Sequence, residues 1–151
     1  MKELLNVSHL NVGFMVGKKK IDVLKDITFS IGEGEVLGVI GETGCGKSVT
    51  GSAVLRLLPE NAIIRGEITY KGEEILHMSE EKFRELRGKD ISAIPQSPST
   101  SLNPMMHVGD QIAECVTAGE KVEKNKVRET VNSIFKRLRL PRNREMYEDY
   151  P

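Results

Sequence analysis

Along the first half of the chain, apolar residues alternate with polar ones in stretches that are typical of half-buried β-strands. Residues 5–14 alternate in two opposite phases, so we predict an edge strand with a slip near Ser8-His9. A later stretch alternates on both sides of the turn pair Lys71-Gly72 and predicts a hairpin. We therefore predict an antiparallel β region made of residues 1–35 and 60–76.

Two other apolar runs, Glu35–Ile40 and Ile91–Ile94, are short and continuous. A continuous run predicts a strand that is covered on both faces, as in a parallel sheet. The first run leads into a glycine-rich loop and then into a predicted helix, Lys47–Leu58, which Pro59 ends. This strand–loop–helix order, joined to an antiparallel β region, predicts an α/β fold.

Three more helices are predicted towards the C-terminus. Ser79 is a favourable N-cap for the first of them, with Glu80 and Glu81 in its first turn. The other two are Val108–Val116 and an amphipathic helix, Lys124–Leu138. The predicted apolar face of that last helix consists of Val127, Val131, Ile134, Phe135 and Leu138.

Composition limits what the chain can bind and where it can work. The 22 Lys and Arg residues balance the 22 Asp and Glu residues, so no overall charge favours nucleic acid. The longest apolar runs are too short to cross a bilayer, and the first ten residues lack the apolar core of a signal peptide. We therefore expect a cytosolic chain in which Cys45 and Cys115 are thiols.

The glycine-rich stretch GETGCGKS matches G-x-x-x-x-G-K-S at every fixed position, with a predicted strand before it and a predicted helix after it. Its glycines let the backbone curl around a phosphate and direct N–H groups inward. Lys47 is expected to reach the β- and γ-phosphates, and Ser48 to offer Mg²⁺ a hydroxyl ligand. The helix points its positive end at the same anion. The predicted nucleotide-binding residues are Gly41, Glu42, Thr43, Gly44, Cys45, Gly46, Lys47 and Ser48.

The same loop occurs in several classes of nucleotide-binding protein. GTPases recognise guanine with N-K-x-D, and the nearest stretch here, Asn125–Arg128, ends in a residue of the wrong charge. No D-x-x-G follows the loop either. Assignment as a small-molecule kinase remains possible, but no feature of the sequence favours it.

Beyond the loop, the chain resembles the nucleotide-binding subunit of an ABC transporter over nearly its whole length. The strand LNVGF ends in an aromatic residue before the loop, LKDITFSI is similar to the second strand of the family, and Gly34-Glu35 introduces the loop strand. The finer similarity is to subunits that power uptake of oligopeptides, dipeptides or nickel. It rests on GETGCGKSVT, on Leu57-Leu58-Pro59 and on the run QSPSTSLNP from Gln96 to Pro104.

The resemblance implies an α/β P-loop NTPase core of ABC type, with an N-terminal antiparallel β subdomain, and it assigns roles to residues. Phe14 would stack on adenine, although a lone aromatic at a strand end is also an ordinary core residue. Gln96 would contact Mg²⁺ and the attacking water, relay the nucleotide state to the membrane partner, and share the catalytic role with Lys47. Val49 stands where many relatives have threonine or serine, so only its backbone N–H can serve the α-phosphate. Cys45 stands where serine is common, and we expect its alkylation to block nucleotide binding.

The resemblance also identifies the chain as the N-terminal portion of one nucleotide-binding domain. Residues 36–58 would form the P-loop strand and helix, 90–104 the Q-loop, and 105–151 the start of a helical subdomain. The sequence contains no L-S-G-G-Q-like signature, no apolar strand ending in Asp-Glu and no later switch histidine. We therefore expect the C-terminal half of the domain to be absent and the fold to be incomplete. The two continuous strands would then lack neighbours, and this chain alone would be unstable and inactive as an ATPase.

The implied function is that of a peripheral ATPase at the cytoplasmic face of the cell membrane, energising oligopeptide or dipeptide import by ATP binding and hydrolysis. Its expected partners are transmembrane permease subunits, a second ATP-binding subunit (identical or different) and, indirectly, an extracytoplasmic solute-binding protein, with no nucleic acid. Three alternatives stay open. They are a nickel importer ATPase of the same group, a soluble ABC ATPase that acts on nucleic acid, and an inactive fragment.

Overall fold

A computed structural model describes residues 2–97, 101–117, 122–140 and 146–151. The chain divides into two compact units, residues 1–92 and 93–151, and each is described by itself. Across these described ranges, no helix is both long enough and apolar enough to span a membrane.

The first unit is built on a four-stranded antiparallel sheet. Its strands are β1 (Glu3–Val16), β2 (Lys19–Gly32), β3 (Ala62–Tyr70) and β4 (Glu73–Glu74), in the order β2-β1-β3-β4. Strand β1 pairs with both β2 and β3, so the prediction of an edge strand was wrong. Alternation of apolar and polar residues shows that one face of a strand is buried. Central strands of an antiparallel sheet can also have one exposed face, so this pattern does not distinguish them from edge strands.

The predicted slip in β1 is confirmed by irregular pairing on both sides of the strand. The register with β2 shifts between Val7 and Leu10, and His9 takes a positive φ of 50°. On the other side, the register with β3 shifts between Ser8 and Asn11, opposite Gly66. A Cβ at Gly66 would lie 2.5 Å from the His9 carbonyl oxygen, so only glycine fits opposite the bulge.

The predicted hairpin is confirmed, and an ion pair ties its turn to the following segment. Lys71 and Gly72 have φ values of 52° and 85°, as a type I′ turn requires. The Lys71 ammonium donates to Asp90 at 2.6 Å. This hydrogen bond lowers the pKa of the Asp90 carboxyl below its ordinary value and raises the pKa of Lys71 above its own.

Helix α1 (Lys47–Val54) ends four residues earlier than predicted. Its end is a Schellman motif, in which Leu57 N–H donates to Ser52 and Arg56 N–H donates to Ala53. Arg56 occupies the left-handed position with φ 53°, where glycine is usual. Its guanidinium donates to the Met78 carbonyl at 2.7 Å, and this contact offsets part of the backbone strain.

The core of the first unit lies between the sheet and two helices. Helix α2 (Glu80–Leu86) begins after Ser79, whose hydroxyl accepts from Lys82 N–H, so the predicted cap is confirmed. Its Phe83 is fully buried. The fully buried members of this core on the strands and helices are Val7, Leu10, Val12, Ala53, Ile68 and Phe83.

The two continuous apolar runs do not form strands, so that part of the sequence prediction was wrong. Val36, Ile40 and Ile94 are 93%, 97% and 96% exposed. Ile91 makes only an isolated bridge with Arg87. A strand needs a hydrogen-bonded neighbour, and within the described ranges no strand pairs with either run. Most of their apolar side chains are exposed, as expected for runs without neighbours, although Ile91 is half-buried against the core.

The described ranges of the second unit contain helices α3 (Val108–Thr117) and α4 (Lys124–Arg137) and a 3₁₀ turn at Met146–Glu148. The predicted inward positions Val127, Val131 and Phe135 of α4 are buried.

The sequence prediction placed Leu138 inward as well, and that was wrong. Leu138 is 63% exposed because it is the C-cap of α4. A second Schellman motif with Arg139 at the left-handed position turns Leu140 back towards the cluster instead.

Candidate functional site

The glycine loop lies between the first apolar run and α1, and its shape depends on residues with left-handed backbones. Gly44 and Gly46 have φ values of 85° and 98°, which side-chain-bearing residues rarely adopt. A Cβ at Gly46 would also overlap the Cδ2 atom of Leu24, a buried residue of β2. The loop is therefore seated directly on the sheet, and Gly46 has both a conformational and a steric reason to be glycine.

The start of α1 presents unpaired backbone N–H groups. Helix geometry leaves the first-turn N–H groups of Lys47, Ser48 and Val49 without an intrahelical acceptor. The first bond of the helix runs from Thr50 N–H to the Gly46 carbonyl at 2.9 Å. Gly46 is the N-cap and has no side chain to cap the helix, and no acidic residue lies in the first turn. This positive helix end can therefore accept an external anion.

Lys47 is folded back over its own loop. Its ammonium donates to the Gly41 and Glu42 carbonyls, both at 2.7 Å, and lies 3.5 Å from the Cys45 sulfur. The Glu42 carbonyl also accepts from Cys45 N–H at 3.3 Å, which closes the loop on itself. A positive charge is thus held against the backbone of the loop that was predicted to surround a phosphate.

Both cysteines are free thiols, as predicted, and both are exposed. Cys45 lies against the start of the loop, because a Cβ at Gly41 would be 2.6 Å from its sulfur. Any group attached to Cys45 would therefore occupy space next to Lys47 and the loop backbone.

The other residues predicted to bind nucleotide differ in how far they are exposed. Thr43 lies in the exposed turn of the loop, and Ser48 is exposed at the start of α1. The Val49 side chain packs against the core, so only its backbone faces the loop. Phe14 is half-buried against the same core, with Ile21 and Ala62 as its cross-strand neighbours. This packing fits the alternative reading of Phe14 as a core aromatic.

Gln96 belongs to the second unit, where it is exposed at a bend. Of the predicted Q-loop run, residues 98–100 lie outside the described part of the chain. The Ser101 hydroxyl donates to the Ser97 carbonyl at 3.3 Å and links the two sides of that gap.

Two residues with a role near these loops were missed by the sequence analysis. Leu24 was assigned only to a strand, yet it is the residue on which Gly46 rests. Gln111 was assigned only to a helix, yet its side chain makes two hydrogen bonds to Asn103 near the end of the predicted Q-loop and one to Met106 just after it. For Gln111, the available signal was a long polar residue one turn into a helix whose other inner positions are apolar.

A metal ion would have to be held at the loop by oxygen atoms. Among the residues that the structure describes, no group of three or more His, Cys, Asp or Glu side chains could form a metal site. Mg²⁺ binds in such sites through phosphate oxygens, water and one or two protein oxygens. The exposed Ser48 hydroxyl next to the free helix end fits that requirement.

Comparison with protein families and curated proteins places the chain among transporter subunits. A family model described as ABC transporter matches residues 24–149. The dipeptide transport ATP-binding protein DppD of Bacillus subtilis (strain 168) is 34% identical over 100% of this chain and 46% of its own length. The oligopeptide transport ATP-binding protein OppD of Escherichia coli (strain K12) is 38% identical over 98% of this chain and 44% of its own length. The chain therefore spans just under half the length of these curated relatives.

Solved structures give the same fold. The ATP-binding cassette MJ0796, in a dimeric structure bound to ADP and Pi, superposes with a TM-score of 0.77 at 17% identity, covering 98% of this chain and 62% of that one. The cbiO1 protein of Clostridium perfringens gives a TM-score of 0.65 at 22% identity, covering 99% of this chain and 55% of that one. These likenesses confirm the predicted fold class, an α/β P-loop core of ABC type. Since the family model covers most of the sequence, including the glycine loop, the chain belongs to the ABC transporter family.

Proposed function

We propose that this chain is the nucleotide-binding part of an ATPase subunit that powers peptide import across the cell membrane. The observation that carries the proposal is the glycine loop, in which the Lys47 ammonium lies against the loop backbone and the N-terminus of α1 has neither a capping side chain nor an acidic residue. A positive loop of this kind suits the phosphates of a nucleoside triphosphate.

In the proposed complex, the backbone N–H groups of residues 41–49 bind the phosphate oxygens. Lys47 exchanges its contacts with the Gly41 and Glu42 carbonyls for the β- and γ-phosphates. Because phosphoryl transfer is catalysed mainly by positioning and charge stabilisation, this lysine contributes to binding and to the transition state. Val49 contributes only its backbone N–H, because its side chain packs into the core.

We assign the hydroxyl of Ser48 and the side chain of Gln96 as ligands for Mg²⁺. The ion, when bound, neutralises charge on the β- and γ-phosphates. From the resemblance to ABC transporter subunits, we also propose that Gln96, which is exposed at a bend of the second unit, orients the attacking water. For Phe14, which is half-buried, we propose stacking on adenine from the resemblance to ABC transporter subunits.

The transported solute is proposed from the relatives, whose printed functions are dipeptide and oligopeptide transport. These names favour a peptide over nickel. The subunit would work at the cytoplasmic face of the membrane with transmembrane permease subunits and a second ATP-binding subunit. An extracytoplasmic solute-binding protein would deliver the peptide to the permease.

The proposal is tested first by nucleotide binding to the subunit and to its Lys47→Ala variant. We expect the variant to bind labelled ATP about 10- to 100-fold more weakly, since hydrogen bonds to charged groups are worth roughly 1.5–3 kcal/mol. Lys82→Ala is the matched control, because Lys82 is an exposed lysine of α2 whose side chain has no described partner. Equal ATP affinity in all three proteins would refute the nucleotide assignment.

The choice of solute is tested in the assembled transporter. Peptide-loaded binding protein is expected to stimulate ATP turnover, while Ni²⁺ leaves it unchanged. Stimulation by Ni²⁺ instead would overturn the peptide assignment and leave the ATPase assignment intact.

A further inference from the structure

Charges of opposite sign are separated within the described ranges of the second unit. Helix α3 and the segment around the 3₁₀ turn carry acidic residues and no lysine or arginine; the acids are Asp110, Glu114, Glu148 and Asp149. Helix α4 and the two residues after it carry a single acid, Glu129, and the bases Lys124, Lys126, Arg128, Lys136, Arg137 and Arg139. Alternating signs are typical of a helix that only faces solvent, and α4 lacks that alternation.

Interactions within the chain do not account for these cations. Arg128 donates to the Glu148 carboxylate at 2.9 Å, but the other five bases make no ion pair with any residue that the structure describes. Lys124 and Lys126 lie in the first turn of α4, where the helix dipole disfavours cations and no acidic residue offsets them. The stability of the helix therefore does not explain the charge that it carries.

The cations of α4 lie on its solvent side. Lys126 and Arg137 are both exposed and stand about three turns apart, which places them in one row along the side of the helix that faces away from its buried stripe. Lys136 is exposed beside Arg137. Their side chains can thus contact one extended anionic surface at the same time.

The C-terminal end of α4 adds an apolar side chain to this row. Leu138 is 63% exposed and stands between Arg137 and Arg139. Arg139 has a left-handed backbone with φ 54°, and its guanidinium has no described partner. In water, both the exposed leucine and the strained arginine are unfavourable. At a membrane surface, arginines can contact lipid phosphates while an apolar side chain enters the boundary between headgroups and acyl chains.

We propose that this basic face, made of Lys126, Lys136, Arg137, Leu138 and Arg139, binds the surface of an anionic lipid bilayer. The four cations contact lipid phosphates, and Leu138 enters the boundary beneath them. A single-stranded nucleic acid fits less well, because α4 exposes no aromatic side chain on which a base could stack. The inference goes beyond the proposed function, since it adds a direct contact with lipid that needs no nucleotide.

The test is cosedimentation of the intact purified subunit with lipid vesicles. Binding to phosphatidylcholine vesicles that contain phosphatidylglycerol should exceed binding to phosphatidylcholine alone, and should weaken as NaCl is added. Lys136→Gln together with Arg137→Gln should weaken it roughly 10- to 30-fold, because each cation near such a surface contributes about 5-fold. Leu138→Ser should weaken binding without changing its dependence on salt, because the lost contact is apolar.

Lys18→Gln together with Lys19→Gln is the matched control, because it removes the same charge from two exposed lysines of the first unit. This variant should bind vesicles like the unmodified protein. Equal losses in the two double variants, or equal binding to both kinds of vesicle, would overturn the inference. Tighter binding to a DNA duplex than to the anionic vesicles, unaffected by Leu138→Ser, would assign the basic face to nucleic acid instead. A melting temperature for each variant separates loss of folding from loss of lipid binding.

Lipid binding and nucleotide binding can fail separately. The double variant of Lys136 and Arg137 should bind ATP like the unmodified protein, while Lys47→Ala should bind anionic vesicles normally. Loss of ATP binding in Lys47→Ala without any vesicle binding by the unmodified protein would overturn the inference alone. Vesicle binding with equal ATP affinity in all proteins would overturn the proposed function alone.

Discussion

Gly46 is the residue at which the glycine loop, the helix and the sheet meet. Gly46→Ala would place a side chain in a left-handed conformation, at roughly 1–2 kcal/mol, and would also force its Cβ into Leu24. Gly44→Ala is the matched control, because φ is also positive there but nothing lies within 4 Å of the added Cβ. We expect denaturant unfolding to show a clearly larger loss of stability for Gly46→Ala, and equal losses would contradict the seating of the loop on Leu24.

Cys45 allows the loop to be tested without a substitution. Because its sulfur lies 3.5 Å from the Lys47 ammonium, bound nucleotide should cover it and slow its alkylation. Cys115 is also exposed but lies on α3, so its alkylation rate should not depend on nucleotide. Mass spectrometry of both sites gives the two rates in one sample. Alkylation of Cys45 at the same rate with and without ATP would show that the nucleotide does not occupy this loop.

At the scale of elements, two helices end in the same motif with an arginine at the left-handed position. Arg56 is tethered to the Met78 carbonyl, and its guanidinium lies 4.8 Å from the centre of the Phe83 ring. Arg139 has no described partner for its guanidinium. Both arginines therefore carry the free-energy cost of a left-handed backbone. Only Arg56 has described side-chain contacts that offset this cost.

This difference predicts opposite effects for one substitution. Arg139→Gly should stabilise the protein by about 1 kcal/mol, because relief of left-handed strain exceeds the extra freedom of glycine in the unfolded chain. Arg56→Gly should destabilise it by about 1–2 kcal/mol, because the lost charged hydrogen bond outweighs the same relief. Denaturant midpoints measure both. A stabilising Arg56→Gly would show that the contact with Met78 contributes little.

Some elements of this fold follow from local sequence and others do not, for physical reasons. Residues with strong local preferences were predicted well, as with Ser79 at a helix start and Lys71-Gly72 at a turn. The runs Glu35–Ile40 and Ile91–Ile94 were not, because a buried strand exists only when neighbours supply its hydrogen bonds. Strand β1 was misplaced for a similar reason. Alternation shows that one of its faces is covered, but it does not show whether one or two neighbouring strands pair with it.

The candidate site was partly predictable for a similar reason. The fixed spacing of the glycine loop identifies Lys47 and Ser48 because the chemistry is encoded in consecutive residues. The contact of Leu24 with Gly46 and the hold of Gln111 on Asn103 depend on how distant or adjacent segments are folded. Local sequence gives no sign of the contact of Leu24, and for Gln111 it shows a polar residue among apolar inner positions without identifying its partner.

For the whole molecule, the exposed apolar runs predict self-association of this chain. Val36 and Ile40 are almost fully exposed, and apolar side chains on a backbone with unpaired groups favour contacts between molecules. We expect the double substitution Val36→Ser and Ile40→Ser to reduce association, measured by light scattering across a range of concentrations. Val16→Ser is the control, since Val16 is 59% exposed at the end of a paired strand. If Val16→Ser reduced association equally, the exposed apolar runs would not be its cause.

The folded-back lysine has a consequence for the energetics of nucleotide capture. The Lys47 ammonium already donates hydrogen bonds to two loop carbonyls. A bound nucleotide would therefore replace these carbonyl acceptors with phosphate oxygens, and would not satisfy a cation that lacked acceptors. The number of hydrogen bonds hardly changes in this exchange, so the gain comes from placing phosphate charge beside the ammonium and the helix end. Affinity should therefore weaken as salt screens those charges, and the loop would discriminate between anions by their charge density.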